Sequence, residues 1–375
     1  MESPAQMKAV VFHGPYKVAV EERPVPQIEE PTDIIVRVKY AALCGSELHV
    51  YRGHQPSKTG FIMGHEFTGT VVKIGSAIKT VMVGDVVVSP FTTSCGACFY
   101  CEKGYSSRCE KSLLFGSPLL DGSQAEYVRI PWADSTVCKA PEGVEEKLLV
   151  LMADIFPTGY FAASNGFKEY TREQVTDLTV VVIGCGPVGL LAIVNALEYK
   201  PKHLLAVDSV APRLELAQEL GAEIWNFQTD REGLDKRVKE LTDGRGADVV
   251  IEVVGLSPAL RTAFDLLRPW GTISSVGVHN AEASFVLLPM VEGIGTNSDC
   301  HQIPWNGNEA YGKNFKLQMG RCPVRSIFPQ ALEALKKNQH LLGFMADKIM
   351  PLSEAVEGYE LFDHMKAQKV VFEAA

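Results

Sequence analysis

Four predominantly apolar runs, at residues 180–183 (VVVI), 204–207 (LLAV), 247–254 (ADVVIEVV) and 273–276 (ISSV), most narrow what this 375-residue chain can fold into. Runs of this kind lack the alternation of a strand with one wet face and read as strands covered on both sides. Segments with helical spacing lie between and beside them, at 188–199, 212–220, 234–241 and 259–267. Pro212 and Pro258 suit the first helical position, and Gly221 suits the position just past a helix end. Apolar strands alternating with helices make βαβ units, and right-handed crossovers assemble these into a doubly wound parallel sheet.

The first of these strands runs directly into Gly184-Cys185-Gly186-Pro187-Val188-Gly189, and Asp208 follows 19 residues after Gly189 at the end of the next strand. A glycine triplet alone says little. Placed between a buried strand and a helix, and answered by an acidic residue, it has the context of a dinucleotide-binding turn. The glycines let the backbone approach a pyrophosphate, which the free N–H groups of the helix start would bind. Asp208 is suited to ribose hydroxyls and would repel a 2′-phosphate, so NAD is expected over NADP. Arg213 either softens that rejection or simply lies on a helix surface. Val276 and Gly277, at the end of the fourth strand, are expected on the cofactor too.

Upstream, from about 7 to 150, short alternating strands separated by Gly and Pro turns read as a β-rich, partly barrel-like domain. Downstream of about 297 the strand–helix alternation stops. Helices are expected at 328–337 and 353–365, the second with Ser353 as its N-cap. The expected domains are therefore 1–155, 156–296 and a tail, 297–375, that returns to the first. In the 296–314 stretch, His301 and Trp305 read as loop decoration in preference to a pocket or an oligomer contact.

Four of the nine cysteines, Cys95, Cys98, Cys101 and Cys109, fall within fifteen residues. Two-residue gaps and an odd total suit metal binding in a reducing compartment better than a disulfide framework. Four thiolates at this spacing close a tetrahedron around zinc, leaving no position for substrate, so the site is structural. A ferredoxin-type cluster would show a last gap of three followed by Pro. Here the gap is seven and Glu110 follows.

A net charge of −9 without a basic cluster argues against nucleic acid and anionic membranes as partners. No apolar stretch approaches the roughly 20 residues of a membrane span, and the MESPAQMKAVVFHG start has no basic-then-apolar leader. The expectation is a soluble, cytoplasmic protein.

Two further segments, Cys44-Gly45-Ser46-Glu47-Leu48-His49 and Gly64-His65-Glu66 continuing to Gly69 and Gly75, join Asp154-Ile155-Phe156-Pro157-Thr158-Gly159-Tyr160. With the four-cysteine loop between them and the dinucleotide turn after them, they resemble the zinc-containing medium-chain alcohol dehydrogenase family over nearly the whole chain. The resemblance implies an α/β protein with a GroES-like β-rich catalytic domain and a Rossmann domain. It implies two zinc ions, NAD, an alcohol or aldehyde substrate, and a homodimer or homotetramer. Cys44, His65 and Asp154 resemble the protein ligands of a catalytic zinc, whose open fourth position takes substrate oxygen. Ser46 resembles the hydroxyl that first takes the substrate proton, and His49 the base that ends the relay. Glu66 resembles a partner or transient ligand of the metal. Thr158 falls at the nicotinamide end of the cofactor site, and Phe91 lines the pocket or packs the core. Asp154 stands where many members have Cys, which shifts the subgroup toward formaldehyde- and polyol-type relatives. A zinc-free enoyl or quinone reductase, or a non-catalytic NAD-binding scaffold, would be expected to have lost part of this set.

Overall fold

The computed structural model describes residues 4–279 and 303–374. Two compact units divide the chain: Met1–Pro157 with Cys322–Ala375, and Thr158–Arg321.

In the first unit, β1 (Gln6–Gly14) and β2 (Lys17–Pro24) form an antiparallel hairpin. A second sheet is built from β3 (Ile34–Ala42), β4 (Glu66–Ile74), β5 (Val86–Ser89), β6 (Tyr127–Ile130) and β7 (Cys138–Lys139). Strand β3 pairs antiparallel with both β4 and β6, and β4 continues to β5 and β7. Ile34, Val36 and Val38 alternate along β3 into a core shared with Phe67, Val71, Val87, Val128 and Ile130. Period-two burial of β-branched residues is what an antiparallel sheet with one covered face requires.

The second unit is one parallel sheet. Its strands are β8 (Thr179–Ile183), β9 (His203–Asp208), β10 (Glu223–Asn226), β11 (Ala247–Glu252), β12 (Leu267–Ser275) and β13 (Lys316–Met319), in the order β10-β9-β8-β11-β12-β13. The four apolar runs are β8, β9, β11 and β12, and every residue of β8 is buried. Helices Pro187–Leu197, Ala211–Glu219, Arg231–Leu241 and Ser257–Leu266 lie between them, three carrying Pro in the first turn. The order reverses between β8 and β11, which makes the carboxyl ends of these two strands the binding crevice of such a fold.

Two strands were not legible from the pattern. β10 is four half-buried residues and β13 four exposed ones, too short for either period to register. The second matters for the boundary. Because β13 hydrogen-bonds in parallel to β12, the second unit runs to Arg321 and the tail begins at Cys322, not at 297. Trp305 also departs from loop decoration. Its ring stacks on Phe264 with centroids 4.8 Å apart and meets Phe315 edge-on, so it packs against the core of the second unit. His301 lies outside the described residues.

From Cys322 the chain adds helix Val324–Asn338, then β14 (Ile349–Pro351) and β15 (Val371–Glu373) to the first unit's sheet, where β15 pairs antiparallel with β3. Between those strands lies helix Ala355–Asp363. Its N-cap is Glu354, not Ser353, because a tight 3₁₀ turn at Leu352–Glu354 precedes it and takes Ser353 inside. Among the described residues no helix is long and apolar enough to cross a membrane.

Candidate metal and cofactor sites

Three separate segments of the first unit deliver metal-type donors to one point. Cys44 ends the loop after β3 and is the N-cap of the short helix Gly45–Tyr51. His65 and Glu66 stand at the start of β4, and Asp154 immediately precedes helix Ile155–Phe167. One donor atom from each of Cys44, His65, Glu66 and Asp154 lies within 4.8 Å of all the others. The Cys44 Sγ to Asp154 Oδ2 distance is 3.8 Å, and His65 Nε2 to the same oxygen is 3.5 Å. Although adjacent in sequence, His65 and Glu66 both bring a donor atom into this cluster, since the first precedes the strand and the second opens it.

The charges of this cluster are unusually constrained. Burial raises the Cys44 thiol. Burial alone would lower the His65 imidazole, but Glu47, Cys44 and Asp154 outweigh it and raise it well above its ordinary value. Glu66 is fully buried, and desolvation pushes its carboxyl up to about 7 although Lys369 pairs with it. Glu66 Oε1 is buried with no hydrogen-bond partner among the described residues. An orphaned carboxylate oxygen beside a thiol and an imidazole is costly without a cation and is satisfied by one. The donor set therefore fits zinc. Asp154 has the most accessible side chain of the four, at 16 % against 6 % or less for His65 and Glu66, so the cluster opens on its side.

Around it, Ser46 Oγ lies 3.3 Å from Cys44 Sγ. His49 follows three residues later on the same short helix, a spacing that shares a helix face. Phe91 is buried and its ring stands roughly perpendicular to that of His65, centroids 6.2 Å apart. Two functional neighbours escaped the sequence reading. Glu47 accepts from the Cys44 backbone N–H at 3.0 Å, and its Oε1 lies 3.5 Å from His65 Nδ1. Lys369, whose partner is 303 residues away, is wholly buried on Glu66. The position of Glu47, three residues after a ligand on a helix, was a readable signal; that of Lys369 was not.

The sulfurs of Cys95, Cys98, Cys101 and Cys109 also lie within 4.8 Å of one another. Backbone N–H groups of Cys95 and Lys111 point at Cys109 Sγ, at 3.2 and 3.4 Å. N–H groups of Glu110 and Cys101 draw the Cys98 thiol down to about 6, whereas burial pushes Cys101 up to about 12. Donors already aimed at sulfur suit a set of thiolates, and no position is left over.

In the second unit, the glycine turn links β8 to helix Pro187–Leu197, with Gly186 as N-cap, Pro187 in the first turn and Val188 after it. A Cβ on Gly189 would stand 1.8 Å from the Gly184 carbonyl oxygen, so only glycine lets the helix start this close to the strand. Asp208 is buried at the end of β9. Its Oδ2 accepts from the Cys185 N–H at 2.7 Å and its Oδ1 from Ser209 and Val210. The carboxylate thus braces the glycine turn. Arg213, in the first turn of helix Ala211–Glu219, brings Nη1 to 4.0 Å from where a Gly186 Cβ would be. Thr158 is buried at the start of the unit. Val276 and Gly277 follow β12 directly, next to a group not foreseen. Fully buried Glu252, the last residue of β11, accepts from Ser275 Oγ at 2.6 Å and from the Val254 and Gly255 N–H groups, and pairs with His279 at 3.2 Å.

A thiol, an imidazole and two carboxylates on a β-rich unit, a four-sulfur loop in the same unit, and a parallel sheet with a glycine turn define the class. The chain belongs to the zinc-type alcohol dehydrogenase family. Residues 30–142 match the alcohol dehydrogenase GroES-like domain, and residues 187–298 the zinc-binding dehydrogenase domain. The chain is 71% identical over 374 residues to zinc-type alcohol dehydrogenase B of Aspergillus flavus, covering 100% of this chain and 83% of that relative. It is 32% identical over 295 residues to the probable D-xylulose reductase A of Emericella nidulans, covering 76% and 79%. Among solved structures, alcohol dehydrogenase TADH from Thermus sp. ATN1 superposes with a TM-score of 0.85 at 33% identity, over 98% of this chain and 99% of that one.

Proposed function

We propose that this protein is a zinc-dependent alcohol dehydrogenase, working also as an aldehyde reductase, that moves a hydride between an alcohol carbon and NAD. The observation that carries the reading is the convergence of Cys44, His65, Glu66 and Asp154 on one point, open on the Asp154 side. Cys44, His65 and Asp154 would hold a catalytic zinc, and Cys95, Cys98, Cys101 and Cys109 a structural one. When bound, the catalytic ion supplies Lewis acidity to an alcohol or carbonyl oxygen. Glu66 stays tied to Lys369, near the ion but not a standing ligand. Ser46 Oγ would take the proton of the substrate hydroxyl as it gives up its own, and the His49 imidazole would be the base at the end of that relay, exchanging with solvent.

NAD would lie along the glycine turn Gly184–Gly189, with Asp208 on the adenosine ribose and Thr158, Val276 and Gly277 toward the nicotinamide. Asp208 is braced by three backbone donors yet keeps a lone pair on Oδ2 for a ribose hydroxyl, and its charge opposes a 2′-phosphate. Arg213 at the turn would favour the pyrophosphate. Strand β13 ends the parallel sheet with all four residues exposed. An edge open among the described residues supports pairing with a second copy, hence a homodimer or a tetramer built from it. Four cysteines gathered in one metal-type loop suit a reducing, cytoplasmic setting better than a disulfide framework.

The test is an NAD-coupled screen of primary, secondary, aromatic and polyol alcohols, run with metal analysis. Turnover of at least one class with NAD, and two zinc ions per chain of which one exchanges, is the expected result. No turnover with any alcohol or aldehyde, or faster turnover with NADP at equal concentration, would break the reading.

A further inference from the structure

Glu47, which touches both Cys44 and His65, is itself held from behind. Gln124 Nε2 donates to Glu47 Oε2 at 3.4 Å, and the Tyr359 hydroxyl donates to Gln124 Oε1 at 2.9 Å. Gln124 and Tyr359 are completely buried and Glu47 nearly so. An ionised carboxylate only accepts, so this chain of bonds has one possible polarity. Hydrogens run from the phenol to the amide and from the amide to the carboxylate.

The surroundings explain neither polar group. The Tyr359 ring packs among Phe12, Leu43, Leu48, Tyr51 and Met63, where a phenylalanine would fill the same space. A hydroxyl buried there costs free energy unless it is bonded, and Gln124 is the partner. Gln124 is likewise fixed by its backbone, whose N–H donates to the Met63 carbonyl and whose carbonyl accepts from the Val10 N–H. It presses on the residue that precedes His65. A Cβ at Gly64, where φ is +102°, would lie 2.5 Å from the Gln124 nitrogen and 2.7 Å from its Cγ.

We infer that Gln124 and Tyr359 are positioning residues for the open metal set, acting through Glu47; the inference rests on the zinc reading given above. Glu47 Oε1 facing His65 Nδ1 selects the tautomer whose Nε2 lone pair points to the metal. Glu47 Oε2 holds the backbone of Cys44 in place through its N–H. The Gln124 amide N–H keeps that carboxylate from rotating away from either ligand. The Tyr359 hydroxyl keeps the amide from turning its own oxygen toward the carboxylate. The last helix of the chain, Ala355–Asp363, thereby orients ligands near residues 44 and 65.

The experiment measures zinc affinity of the exchangeable site in the purified full chain, by competition with a chromophoric chelator at fixed pH. Tyr359→Phe keeps the ring and removes only the hydroxyl; Gln124→Met keeps the volume and removes the amide. Each should weaken zinc binding on the order of tenfold, and Glu47→Gln by more, the range seen for groups that orient metal ligands. In a Glu47→Gln background, Tyr359→Phe should add almost nothing, because its route to the metal is already cut. Wild-type affinity in both single variants overturns the inference. So does an equal loss from Tyr359→Phe with Glu47 present or replaced, which marks a packing effect. A wild-type chain with no exchangeable zinc removes the zinc reading itself, and this inference with it.

Discussion

The two donor clusters of the first unit are equally tight, each within 4.8 Å, yet they are built in opposite ways. The four-sulfur loop draws all its donors from fifteen consecutive residues, is uniform in chemistry, and has backbone N–H groups aimed at sulfur. The other cluster takes its donors from three segments spread over 110 residues, mixes sulfur, nitrogen and oxygen, and leaves an orphaned carboxylate oxygen. A uniform local set can saturate an ion and then has nothing left to offer a substrate. A mixed set assembled by distant elements can stop short of saturation and hold its geometry from outside. Its charges are consequently set by burial and by neighbours such as Glu47 and Lys369, not by the donors alone.

The sharpest way to break this contrast is to remove one donor from each cluster. Asp154→Ala should release the exchangeable zinc and take turnover below detection, while the second zinc and NAD binding persist. Cys101→Ala should do the reverse, losing the inert zinc and thermal stability while the folded fraction still turns over. Metal stoichiometry with activity per folded molecule decides between them, and loss of the same zinc in both variants would erase the distinction.

Next in size is Ser46→Ala, which leaves every donor in place but removes the proton acceptor 3.3 Å from Cys44. Turnover should fall by roughly 10²–10⁴ with both zinc ions retained; unchanged turnover would take Ser46 out of the mechanism. His49→Gln should act more mildly, chiefly below neutral pH. Glu66→Gln should keep both metals and cost less than about tenfold in rate, the scale of a group beside the ligands. Loss of the exchangeable zinc in Glu66→Gln, with retention in Asp154→Ala, would exchange the parts assigned to these two carboxylates.

The smallest effect comes from a buried carboxylate that belongs to neither metal-type cluster. Burial would raise Glu252, but His279, Ser275 and the Gly255 N–H outweigh it and hold the carboxyl below its ordinary value. A carboxyl depressed in the folded state stabilises above its unfolded pKa of about 4.3, and that contribution fades as pH falls through the folded value. Glu252→Gln should therefore cost about 1–3 kcal/mol at pH 7. Thermal melts of the two proteins should converge below about pH 4, since metal loss is common to both. A gap that persists in acid would show that shape, not charge, is what Glu252 supplies.

Much of this arrangement was legible in the chain itself, and the reason is range. The parallel sheet, its glycine turn and the four-sulfur loop each depend on residues a few positions apart, so periodicity and spacing report them directly. Cys44, His65 and Asp154 became readable as a set only by likeness to a family, because nothing in their spacing brings them together. What only tertiary structure decided is everything that crosses the chain at long range. Strand β13 joins the sheet through β12 and moves the boundary to Cys322. Glu66 converges with its neighbour His65, Lys369 returns to bury its charge on Glu66, and Tyr359 reaches Glu47 through Gln124. Local order follows from backbone sterics and side-chain period, which a sequence carries in full. The partner of a buried polar group depends on which distant segment packs over it, and that is decided only when the core closes.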